Sequence, residues 1–410
     1  MKPVSVIGLG LSPKDLTDAH LALIRQADVL VGGKRHLAFF HDVSALKRDI
    51  TRDLKGAVAF IRNHMAERSV VVLASGDPLF YGIGALLIRS LGPENVRICP
   101  NISSVSAAFA RIREPWQDAC VLSLHGSFDR PVLLKALARS DKIALLTGPD
   151  RSPAWLAAFL LEREITDFEM CVLEQMGTET EQVAWYDLPL AAGHPFADPN
   201  VVILKRRPDA RKPVPFYPGM PDHHFEHQRG LITKSEVRAV TLSKLRLCAA
   251  PHVMWDLGAG SGSVSVEAAL MMQNGEVVAV EQHPDRVAQI RTNREKFGAV
   301  NLSVVEAVLP DGLGSLPRPD RVFIGGGGKN LGTIIRAAAS RLSENGVIVA
   351  NTVLLQNIGV AMNTLKELGF DTEITQIQVS TGNPMPWGER LAAQNPVWII
   401  SGFREEGKER

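Results

Sequence analysis

Between Met254 and Gly262 the chain reads MWDLGAGSG, with Gly258, Gly260 and Gly262 at alternate positions behind Asp256, and Glu281 follows 23 residues after Gly258. Glycines at that spacing let a cofactor approach a strand-to-helix turn, and a carboxylate at the tip of the next strand can take both hydroxyls of a ribose. Asp256 ahead of the glycines suits an amine-bearing cofactor better than a pyrophosphate, and the G-x-G-x-x-G of a hydride-transfer site is absent. A second loop, Gly76-Asp77-Pro78, combines a glycine that admits a ligand to the backbone, a carboxylate for a ribose or amine, and a proline that freezes the turn. Ser103-Ser104 reads as a helix cap. The Gly8/Gly10 turn fits either a plain tight turn or a ligand loop. His223-His224-x-x-His227 has ligand-type residues but no accompanying thiol, so it is read as a polar loop with no metal.

These residues need strands and helices to hold them. In the first half, strands are expected over 4–7, 70–75, 96–99, 120–123, 143–147, 169–174, 182–186 and 201–205, with helices over 16–26, 81–91, 105–112, 131–138 and 153–161. In the second half, helices are expected over 264–272, 284–297, 331–342 and 356–368. They alternate with strands ending near 257, 281, 305, 324 and 350, an α/β order. Ligands in such sheets bind beyond the carboxyl ends of the strands, where the glycine loop, Glu281, Ala307, Gly325 and Asn351 converge.

The length of 410 residues asks for two to four domains. Residues 1–204 carry 21 basic and 23 acidic side chains and residues 220–410 carry 19 and 20, so both bodies are close to neutral. The stretch 205–219, KRRPDARKPVPFYPG, has five basic residues, one acid and four prolines, the composition of an interdomain linker. A net charge of +1 with no basic stripe argues against nucleic acid or acidic lipid as a partner. Cys99, Cys120, Cys171 and Cys248 are scattered, as free thiols are in a reducing cytosol. The chain enters a strand directly at its start and has no apolar run near 18 residues, so export, anchoring or membrane contact is not expected and a cytoplasmic protein is.

The order GLGLSP, ASGDPLFYG, NISS and LEQMGTETEQV resembles the tetrapyrrole (class III) methyltransferases over 1–204, with lobes of about 1–115 and 116–204. That resemblance implies S-adenosylmethionine in a cleft between the lobes, with Gly76, Asp77, Pro78, Ser103 and Ser104 at the cofactor and 174–177 contributing. Asn101 departs from the glycine often found there. The rest of the chain resembles the seven-stranded, Rossmann-like class I methyltransferases over 220–405. Its segments PGMPDHHF, GLITKSEVRAVTLSKL, WDLGAGSGSVSVEAAL, VVAVEQHPD, PDRVFIGGGG and VIVANTV look like the decarboxylating subunit of precorrin-6Y or cobalt-precorrin methylation. This resemblance implies a second S-adenosylmethionine site at Thr233, Gly258, Ala259, Gly260, Ser261, Gly262, Glu281 and Ala307. Where that family commonly has Gly-x-Ala-Pro, this chain has Ala307-Val308-Leu309-Pro310, which moves an adenine contact from side chains to backbone.

The fused arrangement is similar to the precorrin-6Y C(5,15)-methyltransferases (decarboxylating) of cobalamin biosynthesis. The substrate implied is a polycarboxylate tetrapyrrole, methylated at carbons 5 and 15 with loss of carbon dioxide from the ring C acetate, in a homo-oligomer. A conjugated ring imine can take the electrons of the departing carbon dioxide, and the enamine left behind is a nucleophile for the next methyl. Lys234, Arg238, Lys329 and Arg390, near the cofactor motifs, are candidate carboxylate clamps or solvated surface charges. No catalytic acid or base is assigned. Two other readings stay open: a methyltransferase of RNA or protein, since the second fold serves many substrates, and a cofactor-sensing module without turnover.

Overall fold

The computed structural model describes all residues except 1–2, 52, 126–127, 209–215, 229, 249 and 405–410. Residues 209–215 of the expected linker, and the last residue of the expected second domain, therefore lie outside the described residues. Two compact units emerge: Met1–Phe128 with Ser140–Pro208, and Asp129–Arg139 with Asp209–Arg410. The helix Arg130–Arg139, read from the sequence as part of the second lobe, groups with the second unit. The strand expected over 201–205 runs one residue further, to Arg206, into what was read as linker.

The first unit opens with a sheet of five parallel strands, β1 (Val4–Gly8), β2 (Val29–Gly32), β3 (Leu46–Asp49), β4 (Val70–Ala74) and β5 (Val96–Cys99), in the order β3-β2-β4-β1-β5. Val70, Val72 and Ala74 pack into one cluster and Val71 and Leu73 into another. Both faces of β4 are thus covered, which is why a parallel strand reads as an unbroken apolar run. Its second sheet is mixed: β6 (Cys120–Ser123), β7 (Lys142–Leu146), β8 (Phe168–Glu174), β9 (Gln182–Tyr186) and β10 (Asn200–Arg206), in the order β6-β7-β10-β8-β9. Only the β6–β7 pairing is parallel.

The second unit holds β11 (Val253–Leu257), β12 (Glu276–Glu281), β13 (Leu302–Glu306), β14 (Arg321–Ile324), β15 (Val347–Thr352), β16 (Asp371–Ile377), β17 (Ser380–Met385), β18 (Gly388–Ala393) and β19 (Val397–Phe403). Seven of them form one sheet in the order β13-β12-β11-β14-β15-β19-β16, parallel except for the last two pairings. Alternate residues again serve two cores: Met254, Phe323 and Val349 in one, Trp255, Val322 and Ile348 in the other. The chain departs from β11 in both directions, to β12 on one side and β14 on the other. That is a topological switch point, where a crevice opens at the carboxyl ends. β17 and β18 pair only with each other, as an exposed hairpin.

Candidate functional site

At the carboxyl ends of β11, β12 and β14 lies a cavity of about 860 Å³. Thr233, residues 258–261, Glu281 and Ala307 line it, together with Gly325 and Asn351. The glycine loop is built for close approach. Gly258 has φ +75°, and a Cβ there would stand 3.1 Å from the backbone nitrogen of Gly326, so the loops after β11 and β14 touch backbone to backbone.

Glu281 is 4 % exposed, and its carboxylate is pinned by three backbone donors. Oε1 accepts from the N–H of Gln282 at 2.9 Å and of His283 at 3.1 Å, and Oε2 accepts from Gly260 at 2.9 Å. A carboxylate has about four acceptor directions. One direction is left, which narrows the sequence expectation of a grip on two ribose hydroxyls to a direct bond with one.

Asp256 and Gly262 are not among the residues lining the cavity. Gly262, at φ +76°, caps the helix Ser263–Met271. Asp256 is fully buried, accepts a hydrogen bond from the Ser265 hydroxyl on Oδ2, and has no partner on Oδ1 among the described residues. Its role is therefore support beneath the loop, not contact with an amine. Burial, aided by the Glu281 charge, pushes its pKa up to about 7, against the Ser265 hydrogen bond. Because the folded pKa is raised, the unfolded chain gives up this proton first. Stability should fall between about pH 4 and pH 7 by up to roughly 4 kcal/mol and then level off. Urea unfolding at pH 5 and pH 8 checks this: Asp256→Asn should remove the difference, and an undiminished difference in the variant contradicts the assignment.

Arg238 is not a substrate clamp. It is wholly buried, with Nε 2.6 Å from Glu267 Oε1, further bonds to the Thr233 and Met220 carbonyls, and Asp222 at 3.4 Å. Glu267 also accepts from the N–H of Gly219 and of Met220, at 2.8 and 2.9 Å. The pair thus ties the segment entering the second unit to the helix behind the glycine loop. Lys234 lines the cavity and pairs with Asp222 at 3.1 Å. Lys329 and Arg390 are exposed and do not line the cavity.

Three residues were missed by sequence reasoning. Arg286, two residues into the helix after Glu281, lines the cavity. Asn293 is fully buried: its amide donates to the carbonyls of Ser261 and Glu226, and its oxygen accepts from the Glu226 N–H. Its signal was there, since it falls on the same helical stripe as Val287, Ile290 and Phe297. Glu267 was also visible as a lone acid in the apolar run VSVEAALM.

In the first unit, a cavity of about 410 Å³ is lined by Asp77 and Ser103 with Phe80, Asn101, Ile102 and Trp116 among its neighbours, whereas Gly76, Pro78 and Ser104 are not in the lining. Gly76 instead bridges Gly10, N–H to carbonyl at 3.0 Å. A Cβ on Gly8 would lie 2.4 Å from the Gly76 carbonyl oxygen, so no side chain fits there. Asp77 Oδ1 accepts from the Leu79 N–H at 2.8 Å, and Ser103 caps its helix by accepting from the Ser106 N–H at 3.1 Å. Asn101 binds three loops together: its amide donates to the carbonyls of Gly8 and Asp15 and its oxygen accepts from the Ile102 N–H. In the 174–177 segment, Glu174 accepts from the Ala197 N–H, and the Gly177 N–H donates to Glu181.

Among the described residues no group of three or more His, Cys, Asp or Glu could hold a metal, and no helix is long and apolar enough to cross a membrane. Cys99 and Cys171 are buried and Cys248 is exposed, all as free thiols.

Residues 3–189 match the family model of tetrapyrrole (corrin/porphyrin) methylases, and residues 223–402 match that of the precorrin methyltransferase domain. A precorrin-6Y C(5,15)-methyltransferase (decarboxylating) of Sinorhizobium sp is 34% identical over 394 residues, covering 93% of this chain and 92% of that protein. One from Mycobacterium tuberculosis is 32% identical over 97% of this chain and 99% of its own. A probable cobalt-precorrin-6B C(15)-methyltransferase (decarboxylating) of Pyrobaculum calidifontis is 46% identical over 189 residues, 45% of this chain and 96% of its own.

Proposed function

The chain belongs to the family of precorrin-6Y C(5,15)-methyltransferases (decarboxylating), and from that membership we propose that it methylates precorrin-6Y at carbons 5 and 15 and removes carbon dioxide from the ring C acetate, in cobalamin biosynthesis. The observation that carries this reading is similarity along the whole chain: relatives of that name span both units, and a relative named for the carbon-15 step matches 45% of the chain over nearly its own full length. The two halves are read as a class III methylase over 1–204 and a Rossmann-like class I methyltransferase over 220–405. Each binds one S-adenosylmethionine. The protein is read as cytoplasmic and homo-oligomeric.

The second cavity suits that cofactor. Its volume lies in the range of small-molecule sites, a Cβ on Gly260 would point into open space, and Glu281 keeps an acceptor direction for a ribose hydroxyl. When bound, S-adenosylmethionine supplies the electrophilic methyl on its sulfonium. The residues of the chain orient and dehydrate: the glycine loop and Glu281 fix the cofactor end, and Lys234 and Arg286, which line the cavity, supply cations for the carboxylates of a tetrapyrrole. Near-neutral bodies favour this substrate over RNA, which needs a basic surface.

Calorimetric titration of the full chain with S-adenosylhomocysteine should give two molecules bound per chain. A stoichiometry of one would contradict the two-site reading.

A further inference from the structure

We propose that Ser75 and His36 are the proton-accepting pair of the first unit's methylation site, Ser75 meeting the substrate and His36 acting through it. This deepens the carbon-5 part of the functional reading and rests on it. Replacing hydrogen by methyl at a meso carbon forms a carbon–methyl bond and breaks the methyl–sulfur bond, whose pair stays on sulfur. The carbon–hydrogen pair then returns to the conjugated ring, and one proton must go to a base.

The cavity lining offers little for that proton. Asp77 is its one titratable residue among those described, and Asp77 already accepts the Leu79 N–H. Ser75 is outside that lining but stands two residues before Asp77, which is in it; it immediately follows β4 and precedes Gly76, at the carboxyl edge of the parallel sheet, where such folds bind ligands. It is exposed, and its hydroxyl lies 3.0 Å from Nε2 of His36. His36 sits on the short helix Lys34–Ala38, which follows β2, the strand paired with β4. Its other nitrogen, Nδ1, is buried and has no hydrogen-bond partner among the described residues. Buried polar atoms are rarely left so. With nothing fixing Nδ1, the ring is free to take the tautomer in which Nε2 accepts from the serine. Burial, and then the Arg35 cation, hold the imidazole below its usual pKa, so it is neutral and able to receive a proton near pH 7. The proton passes from carbon to the Ser75 oxygen as the serine's own proton passes to His36 Nε2, which leaves serine neutral and the imidazole charged.

The test is methyl transfer to carbon 5 by the full chain, read by position-resolved NMR of the product, alongside affinity for S-adenosylhomocysteine. His36→Ala and Ser75→Ala should each lower kcat for carbon 5 about 100-fold or more. KM for S-adenosylmethionine and the affinity should stay unchanged, and the double variant should be no slower than the slower single one, because the pair acts as a unit. Wild-type kcat in either variant overturns the proposal. So does a loss that follows weakened cofactor affinity, or one that multiplies in the double variant. If the unaltered chain transfers no methyl to carbon 5, the functional reading itself fails instead.

Discussion

Glu281→Ala should weaken S-adenosylhomocysteine binding at the second site about 30- to 150-fold while leaving the first site intact. The carboxylate does two things at once: it holds the N–H groups of Gly260, Gln282 and His283 in place, and it keeps one acceptor direction toward the cavity. A hydrogen bond to a charged group contributes about 1.5–3 kcal/mol, and about 1.4 kcal/mol corresponds to a factor of ten. Release of the glycine loop sets the estimate toward the upper end. Glu281→Gln should fall between, since an amide keeps one acceptor oxygen but turns a donor toward one of the backbone N–H groups. Titration calorimetry on both variants checks this. Unchanged affinity in Glu281→Ala would remove Glu281 from the cofactor site.

The largest effect on stability is expected at Arg238. Arg238→Met leaves Glu267 wholly buried, still facing the amides of Gly219 and Met220 but without its cation. Breaking a buried pair from one side costs about 3–5 kcal/mol, because the remaining charge has no compensation. The double variant Arg238→Met with Glu267→Gln should recover a large part of that loss. Denaturant unfolding of the second unit provides the measure. If Arg238→Met is neutral in stability yet raises KM for the tetrapyrrole, the residue is a substrate clamp after all and the structural assignment is wrong.

What the sequence made legible follows from where the constraints act. β4 and β12 stood out because both of their faces are buried, which makes them unbroken apolar runs. The glycine loop and Glu281 stood out because a cofactor turn constrains residue type locally. By contrast, no element was assigned between 27 and 69, where the structure has β2, β3 and the helix Leu54–His64. β2 is only four residues long, and β3, Leu-Lys-Arg-Asp at the sheet edge, carries the exposed charges that edge strands use to resist pairing. The β17–β18 hairpin is exposed along nearly all of both strands and buries no face against a core, so it has no apolar period to read. Arg238 was placed in the site by proximity along the chain, and Asp256 by its position ahead of the glycines. Which side of an element faces a cavity depends on packing by distant segments, here Gly219–Met220 against Glu267 and Ser265 against Asp256.

The near-cancelled charge and the two units meet in one question, whether a single chain carries out both methylations and the decarboxylation. Incubating the full chain with precorrin-6Y and S-adenosylmethionine and weighing the product by mass spectrometry answers it most directly. The expected product carries two added methyl groups and has lost one carbon dioxide. A product carrying one methyl with its acetate intact, or unaltered precorrin-6Y, would contradict it.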